Sequence, residues 1–280
     1  MPRNERAQWA RLDIDGVPLL ADLAAGLSLA RVMDFREPQL RCFGAPAAAS
    51  VPLVIGEFSG RVTSGASCNS SVLSFTPHAN GTHTEGIGHL SVERVDVHAA
   101  IPQRLLLAAL LTVEPELAAD SDEGSVPMPH DADLLITRAR LESAWPAAMM
   151  PRLAARALVI RTQPNDPFKV TEDGAAAAPF LSQEAAQMLV ERGIEHLVLD
   201  VPSADRASDG GALTAHRIFF GLPAGSTQLG GAQRRDSTIT ELAYVGNSIA
   251  DGWYLLALQT PAITGDAVPS RPVLYPLRAV

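Results

Sequence analysis

Residues 155 to 201 constrain the fold more than any other part of this chain. ARALVIRT (155–162) and HLVLDV (196–201) are short runs rich in branched apolar residues, of the length and composition of buried strands. Between them, SQEAAQMLVERG supplies Ser182 as an N-cap, a helix-favouring interior and Gly193 as a C-terminal stop. Strand, helix, strand over this distance has the size of a crossover unit. Runs of the same kind recur at VPLVIG (51–56), RLLLAALLTV (104–113), YLLALQ (254–259) and PVLYPL (272–277), and a second helix is expected from the cap Thr137 through ITRARLESAW. With 47% hydrophobic residues, and no internal repeat, heptad pattern or Pro-Gly linker, one mixed α/β domain is expected over 1–280, with 1–50 peripheral to it. Loops of small residues are expected at 59–71, 172–179 and 221–237, the last being mobile or inserted.

The bulk properties remove several functions. A net charge of -9, without any run of Lys or Arg, leaves no electrostatic footprint for nucleic acid or an anionic membrane. Lys169 is the only lysine among many arginines, a usage that fits a GC-rich bacterial genome. Two cysteines, Cys42 and Cys68, are too few for a disulfide framework and suit a reducing, cytoplasmic setting. MPRNERAQWARLDIDG has no apolar signal core, and LLLAALLTV is too short to span a bilayer. No GxSxG, GxGxxG or GxxxxGK[ST] occurs, which argues against a serine hydrolase and the usual nucleotide sites.

HANGTHTEGIGH (78–89) holds three of the seven histidines and a carboxylate. Gly81 argues for a turn or bulge, so the segment reads as loop and strand and not as a helical HExxH arrangement. On an extended backbone His83 and Glu85 share a face, where an imidazole and a carboxylate make a corner for zinc or manganese; the carboxylate can also bridge two ions. His89 then stands beside the metal as a proton shuttle. By spacing alone, a polar surface loop with incidental histidines is the competing reading. His98, His130 and His196 read as surface or structural, Phe219, Phe220, Trp145 and Trp253 as core or interface, and the cysteines as small buried hydrophobes.

The segment resembles the HxGTHxDxPxH motif of the cyclase family of metal-dependent hydrolases, which includes bacterial kynurenine formamidase and isatin hydrolase. ALVIRT, the helix at 182–193, HLVLDVPSADR, AHRIFF and ITELAYV follow in the family's order, so the resemblance covers roughly residues 50–277. It implies a domain of the swivelling β/β/α type, with a central barrel-like sheet and flanking helices. It also implies one or two zinc or manganese ions held by His78, His83, Glu85, His216 and Glu241, with His89 as catalytic acid or base paired to Glu241. Asp200, Pro202, Ser203 and Asp205 would support the site from a strand end. The implied activity is cleavage of a small amide, lactam or ester, on C–N bonds other than peptide bonds. The implied assembly is a homo-oligomer, a dimer or tetramer.

Three departures stand out. His78 lies five residues before His83 where the motif has four, which makes Asn80 an extra residue and aligns Ala79 with the first ligand. Glu85 replaces the usual Asp, and GIG replaces the stretch containing proline. A longer loop, 221–237, separates His216 from Glu241 and is expected to shape the pocket mouth. A metal- or ligand-binding member of the fold without turnover is the alternative.

Overall fold

A computed structural model of the chain describes residues 8–36, 38–145, 153–167 and 175–280. Lys169 and the start of the 172–179 loop lie outside the described residues. The strands Leu106–Val113, Ala157–Thr162, His196–Leu199 and Thr238–Glu241 lie side by side and parallel. Their side chains alternate between two cores. Leu107, Ala109, Leu111, Leu158, Ile160, Leu197, Leu199 and Ile239 pack with residues of the helices Gln183–Glu191 and Thr214–Phe220. Leu106, Ala108, Leu110, Ala157, Val159 and Val198 face the other way, onto Val97, Ile249, Leu256 and Leu274. Burial on both faces explains why the first three read as continuous apolar runs. Each large apolar side chain removed from water contributes roughly 1.5–3 kcal/mol.

The crossover unit forms as its residues predict. Ser182 Oγ accepts from the Ala185 amide at 2.9 Å, and Gly193 ends the helix at a φ of 71°. Thr137 caps Arg138–Ala144 through the Arg140 amide at 3.2 Å.

Antiparallel strands extend the sheet on both sides. Gly252–Gln259, Arg271–Ala279, Val17–Asp22 and Trp9–Ile14 follow outward from 106–113; His83–Glu85 and then Ala267–Pro269 follow outward from 238–241. With Leu27–Ser28 on the 271–279 strand, the sheet has 11 strands in an open path. The expected barrel-like closure is therefore not formed among the described residues: the end strands Trp9–Ile14 and Ala267–Pro269 have no ladder joining them.

VPLVIG is the other correction. It splits into Ala49–Pro52, paired with Ser71–Ser74, and Val54–Ile55, paired with Phe58–Ser59. These hairpins lie outside the main sheet, and Val51, Val54, Ile55, Val72 and Leu73 are all exposed. The run is apolar because of what it presents, not because this chain buries it.

Among the described residues, no helix is long and apolar enough to cross a membrane.

Candidate metal centre

The 83–85 strand is inserted between two others, and its register builds half of the site. Glu241 stands opposite His83, Thr240 opposite Thr84 and Ile239 opposite Glu85. Alternation then puts His83, Glu85 and Glu241 on one face, with Ile239, toward the helices. Thr84 and Thr240 turn to the other face and hydrogen-bond each other at 2.7 Å.

His216 arrives from the helix Thr214–Phe220. This helix has no side-chain cap of its own and starts after Leu213, a leucine in the left-handed region at φ 47°. Asp205 caps it from outside: Oδ1 accepts from the Ala215 amide at 2.7 Å, and Oδ2 accepts from the His216 amide at 3.0 Å. The same Oδ2 holds His216 Nδ1 at 2.6 Å, which directs Nε2 to Glu85 Oε1, also at 2.6 Å. Asp205 thus does more than support a strand end, because it sets the orientation of the His216 ring.

His78 stands on the single turn Pro77–Asn80, and the structure brings it into the cluster despite the extra residue. Its Nδ1 lies 2.9 Å from Glu85 Oε2. Ala79, the position aligned with the family's first ligand, is buried with Cys42 and Leu242 instead. Asn80 is buried as well: its Oδ1 accepts from the Thr76 amide at 2.7 Å, and its Nδ2 donates to the carbonyls of Leu40 and Pro46 at 3.1 and 3.2 Å. The extra residue therefore pins segment 40–46, which carries Phe43 to the mouth of the site.

His89 lies on the turn Ile87–Leu90, where Gly88 is required because a Cβ would meet the Val95 carbonyl oxygen at 2.2 Å. The resemblance pairs His89 with Glu241, but no hydrogen bond or ion pair joins the two among the described residues. His89 Nδ1 faces Asp266 Oδ2 at 3.4 Å. The Glu241 carboxylate is taken up elsewhere: Oε1 accepts from the Ala204 amide at 2.7 Å and lies 3.5 Å from His216 Nε2, while Oε2 lies 3.5 Å from His83 Nε2.

All six residues singled out from the sequence thus share one site, and Asp266 joins them unforeseen. No local pattern flags it. Asp266 precedes the 267–269 strand and is placed by that strand's pairing with 83–85 and by its own carbonyl, which accepts from Gly86 at 3.1 Å.

The electrostatics are those of a site with surplus carboxylates. Burial alone would lower the His216 pKa, yet the Glu85 charge and the hydrogen bonds to Asp205 and Glu85 raise it well above its ordinary value. Burial likewise opposes protonation of His78, and its hydrogen bonds to Asp266 and Glu85 push it up to about 10. Burial would raise Glu85, but His216 and His89 hold it well below the usual carboxylate range. Hydrogen bonds from His78 and His89 depress Asp266.

His83 tests whether a cation fits. Its Nδ1 lies 3.1 Å from the Gly81 carbonyl oxygen, an acceptor only, so Nδ1 carries a hydrogen and Nε2 is the nitrogen turned to the cluster. Among the described residues that buried Nε2 has no hydrogen-bond partner; it faces Glu241 Oε2 at 3.5 Å and Glu85 Oε2 at 4.0 Å. A buried imidazole nitrogen set between two carboxylates is a place that a cation would satisfy. The donor atoms of His78, His83 and Glu85 lie within 4.8 Å of one another, as do those of Glu85, His216 and Glu241, with Glu85 common to both groups.

A cavity of about 190 Å³ opens onto this cluster, walled by Phe43, Ser203, Arg206 and Leu213. Loop 221–237, expected at the mouth, contributes none of the lining. It is tied down instead, by Arg217 to the Ser226 carbonyl at 2.6 Å, by Arg235 to the Leu229 carbonyl at 2.7 Å and by Val92 to the Thr227 carbonyl at 3.0 Å. Phe43 and Leu213 at the cavity, and Leu242 next to Glu241, all have positive φ. At about 1–3 kcal/mol each, such strain gathers where a site demands the geometry.

The remaining candidates sit apart from the cluster. His98 and His130 are exposed, while His196 is buried against Thr238 Oγ1 at 2.9 Å. Phe219, Phe220 and Trp253 are core, and Cys42 is buried whereas Cys68 is exposed.

The fold recurs in known proteins. The fold is shared with a protein described as a predicted metal-dependent hydrolase from Bacillus stearothermophilus, at 12% identity and a TM-score of 0.55, over 89% of this chain and 97% of that one. It is shared with an isatin hydrolase bound to the product analogue thioisatinate, at 15% identity and 0.56, over 91% and 93%. Isatin hydrolase A from Labrenzia aggregata aligns at 14% and 0.56, over 89% and 93%. No curated protein sequence matches this chain. The sequence model of the Cyclase family matches residues 21–206, a stretch that includes His78, His83, Glu85, His89 and Asp205 and ends before His216 and Glu241. The chain belongs to the Cyclase family.

Proposed function

We propose that this protein is a metal-dependent hydrolase that opens a small amide, lactam or ester, with zinc or manganese held by His78, His83, Glu85, His216 and Glu241. The observation that carries the reading is the buried Nε2 of His83, which faces two carboxylates and makes no hydrogen bond among the described residues. Three imidazoles and two carboxylates form a borderline donor set that suits either ion. Glu85 presents Oε2 to His78 and Oε1 to His216, so one or two ions can be accommodated. A divalent ion bound there polarises a carbonyl and lowers the pKa of a water toward neutrality.

The protein's own groups do the rest. Asp205 holds His216 in the tautomer whose Nε2 faces the cluster. His89, with Nδ1 toward Asp266, has Nε2 available to take a proton from the attacking water and return it to the leaving nitrogen or oxygen. Asp266 takes over the partner role that the resemblance gives to Glu241. The cavity of about 190 Å³ suits a small molecule.

The assembly proposed is a homo-oligomer, a dimer or tetramer in the cytoplasm. Its support is the pair of hairpins within residues 49–74, whose exposed Val51, Val54, Ile55, Val72 and Leu73 a second copy would cover. Two-stranded hairpins are marginal by themselves.

The test is metal analysis of the purified protein together with an amide and ester hydrolysis screen, with His89→Ala as control. Stoichiometric metal, and a loss of about 10²–10⁴-fold in turnover for His89→Ala, are expected. Absence of metal, with activity indifferent to His89→Ala, refutes the reading. Metal uptake with no turnover of any substrate supports a binding protein instead.

A further inference from the structure

Two aspartates of the site each stand behind a histidine. Asp205 is behind His216. On the opposite side Asp266 Oδ2 lies 2.9 Å from His78 Nε2, while His78 Nδ1 lies 2.9 Å from Glu85 Oε2. The same Asp266 oxygen lies 3.4 Å from His89 Nδ1, and the rings of His78 and His89 lie 4.4 Å apart, tilted by 36°.

We propose that Asp266 is the positioning residue that makes the displaced His78 a metal ligand through Nδ1, holding the His89 ring beside it. This rests on the metal-centre reading above. The extra residue Asn80 leaves His78 on a single helical turn with a quarter of its side chain exposed, so its own element does not fix the ring. An imidazole offers two nitrogens, and the hydrogen on one decides the use of the other. A carboxylate that accepts from Nε2 would leave Nδ1 free to give up its hydrogen to an incoming cation and join it as a ligand, in the group of donors that Glu85 and His83 complete.

Asp266 is well placed to do this. Its carbonyl accepts from the Gly86 amide at 3.1 Å and the next residue, Ala267, pairs with Glu85, so one ladder fixes both the ligand carboxylate and the carboxylate behind His78. Asp205 and Asp266 then act alike from opposite sides of Glu85.

The test is titration of Mn(II) and of Zn(II) into the metal-stripped full-length protein, for the wild type, Asp266→Ala, Asp266→Asn, His78→Ala and the double variant His78→Ala/Asp266→Ala. Circular dichroism checks that each is folded. Asp266→Ala should weaken binding by about 10–100-fold at unchanged stoichiometry. Asp266→Asn, whose amide oxygen still accepts from Nε2, should recover part of the loss. In the His78→Ala background, Asp266→Ala should add less than about twofold, because its effect passes through His78. Additive losses in the double variant overturn the proposal, as does a wild-type affinity for Asp266→Ala. Loss of one ion from the stoichiometry also overturns it, since Asp266 would then be a ligand itself. A wild type that takes up neither ion refutes the metal centre and this inference together; normal uptake that ignores Asp266→Ala refutes this inference alone.

Discussion

Replacing Asp205 by Asn separates what holds the fold from what holds the metal. Asp205 is 3% exposed and receives three hydrogen bonds, from the Ala215 amide at 2.7 Å, the His216 amide at 3.0 Å and His216 Nδ1 at 2.6 Å. Asn keeps the shape but offers one acceptor oxygen. If that oxygen takes the two His216 bonds, the amide NH₂ is driven against the Ala215 N–H, and the buried imidazole loses its charged partner. Breaking a buried charged pair in this way costs about 3–5 kcal/mol. At about 2–4 °C per kcal/mol for a large domain, the melting temperature should fall by roughly 6–20 °C. The metal reading predicts a second loss. Without the carboxylate's charge behind it, His216 keeps its tautomer but is a less basic ligand, and affinity for Zn(II) or Mn(II) should fall about 10–100-fold. Denaturant titration of the metal-free protein measures the first loss, and competition with a chromophoric chelator measures the second. A folded Asp205→Asn protein that binds metal as tightly as the wild type would refute the role assigned to Asp205, whatever happens to its stability.

Burial pushes the His196 imidazole down to about 4, so in the folded state it stays neutral where an unfolded histidine, near 6.5, already takes a proton. Its contribution is therefore complete above about pH 6.5 and is lost as pH falls toward 4, reaching ~2 kcal/mol at about pH 5. Relative to His196→Gln, wild-type stability by denaturant titration should drop by that amount between about pH 7.5 and 5; a constant difference would show that His196 titrates normally. Thr84→Val should cost about 1–3 kcal/mol by stranding the Thr240 hydroxyl, and Thr84→Val/Thr240→Val should recover most of it. Equal losses in the single and double variants would dismiss that pair. Gly88→Ala should destabilise by about 1–3 kcal/mol, because its Cβ would meet the Val95 carbonyl oxygen at 2.2 Å; an unchanged melting temperature would count against the turn's geometry.

What could be read from the sequence followed how local the deciding interactions were. His83 and Glu85 were legible because two residues on one strand share a face whatever the strand's neighbours. The 106–113 and 157–162 strands were legible because both their faces are buried. The helix 214–220 gave no local start signal, since its cap, Asp205, lies ten residues upstream of Ala215. The strand Thr238–Glu241 did not look like a core strand, because its polar residues are satisfied across the sheet by His196, Thr84 and the site itself. Asp266 is 188 residues from His78, and only the register between 83–85 and 267–269 joins them. The apolar run 51–56 misled for the converse reason: its branched side chains suit a buried strand by composition, yet they lie exposed on two short hairpins.

The extra residue Asn80 shows how one local change redistributes a site. Inserted between the first histidine and the rest, it moves His78 one position along the turn and turns Ala79 into the core beside Cys42 and Leu242. Its side chain then ties Leu40 and Pro46, which holds Phe43 in a left-handed conformation at the cavity. Two departures from the family pattern now act on opposite sides of the same space. Glu85, one methylene longer than Asp, reaches both His78 and His216, so the shifted histidine stays within 2.9 Å of a shared carboxylate. The longer carboxylate and the shifted histidine are therefore compatible in one site, and under the proposed function Phe43→Ala, which opens the cavity wall, should change which small substrates are turned over; an unchanged substrate profile would refute a role for that wall.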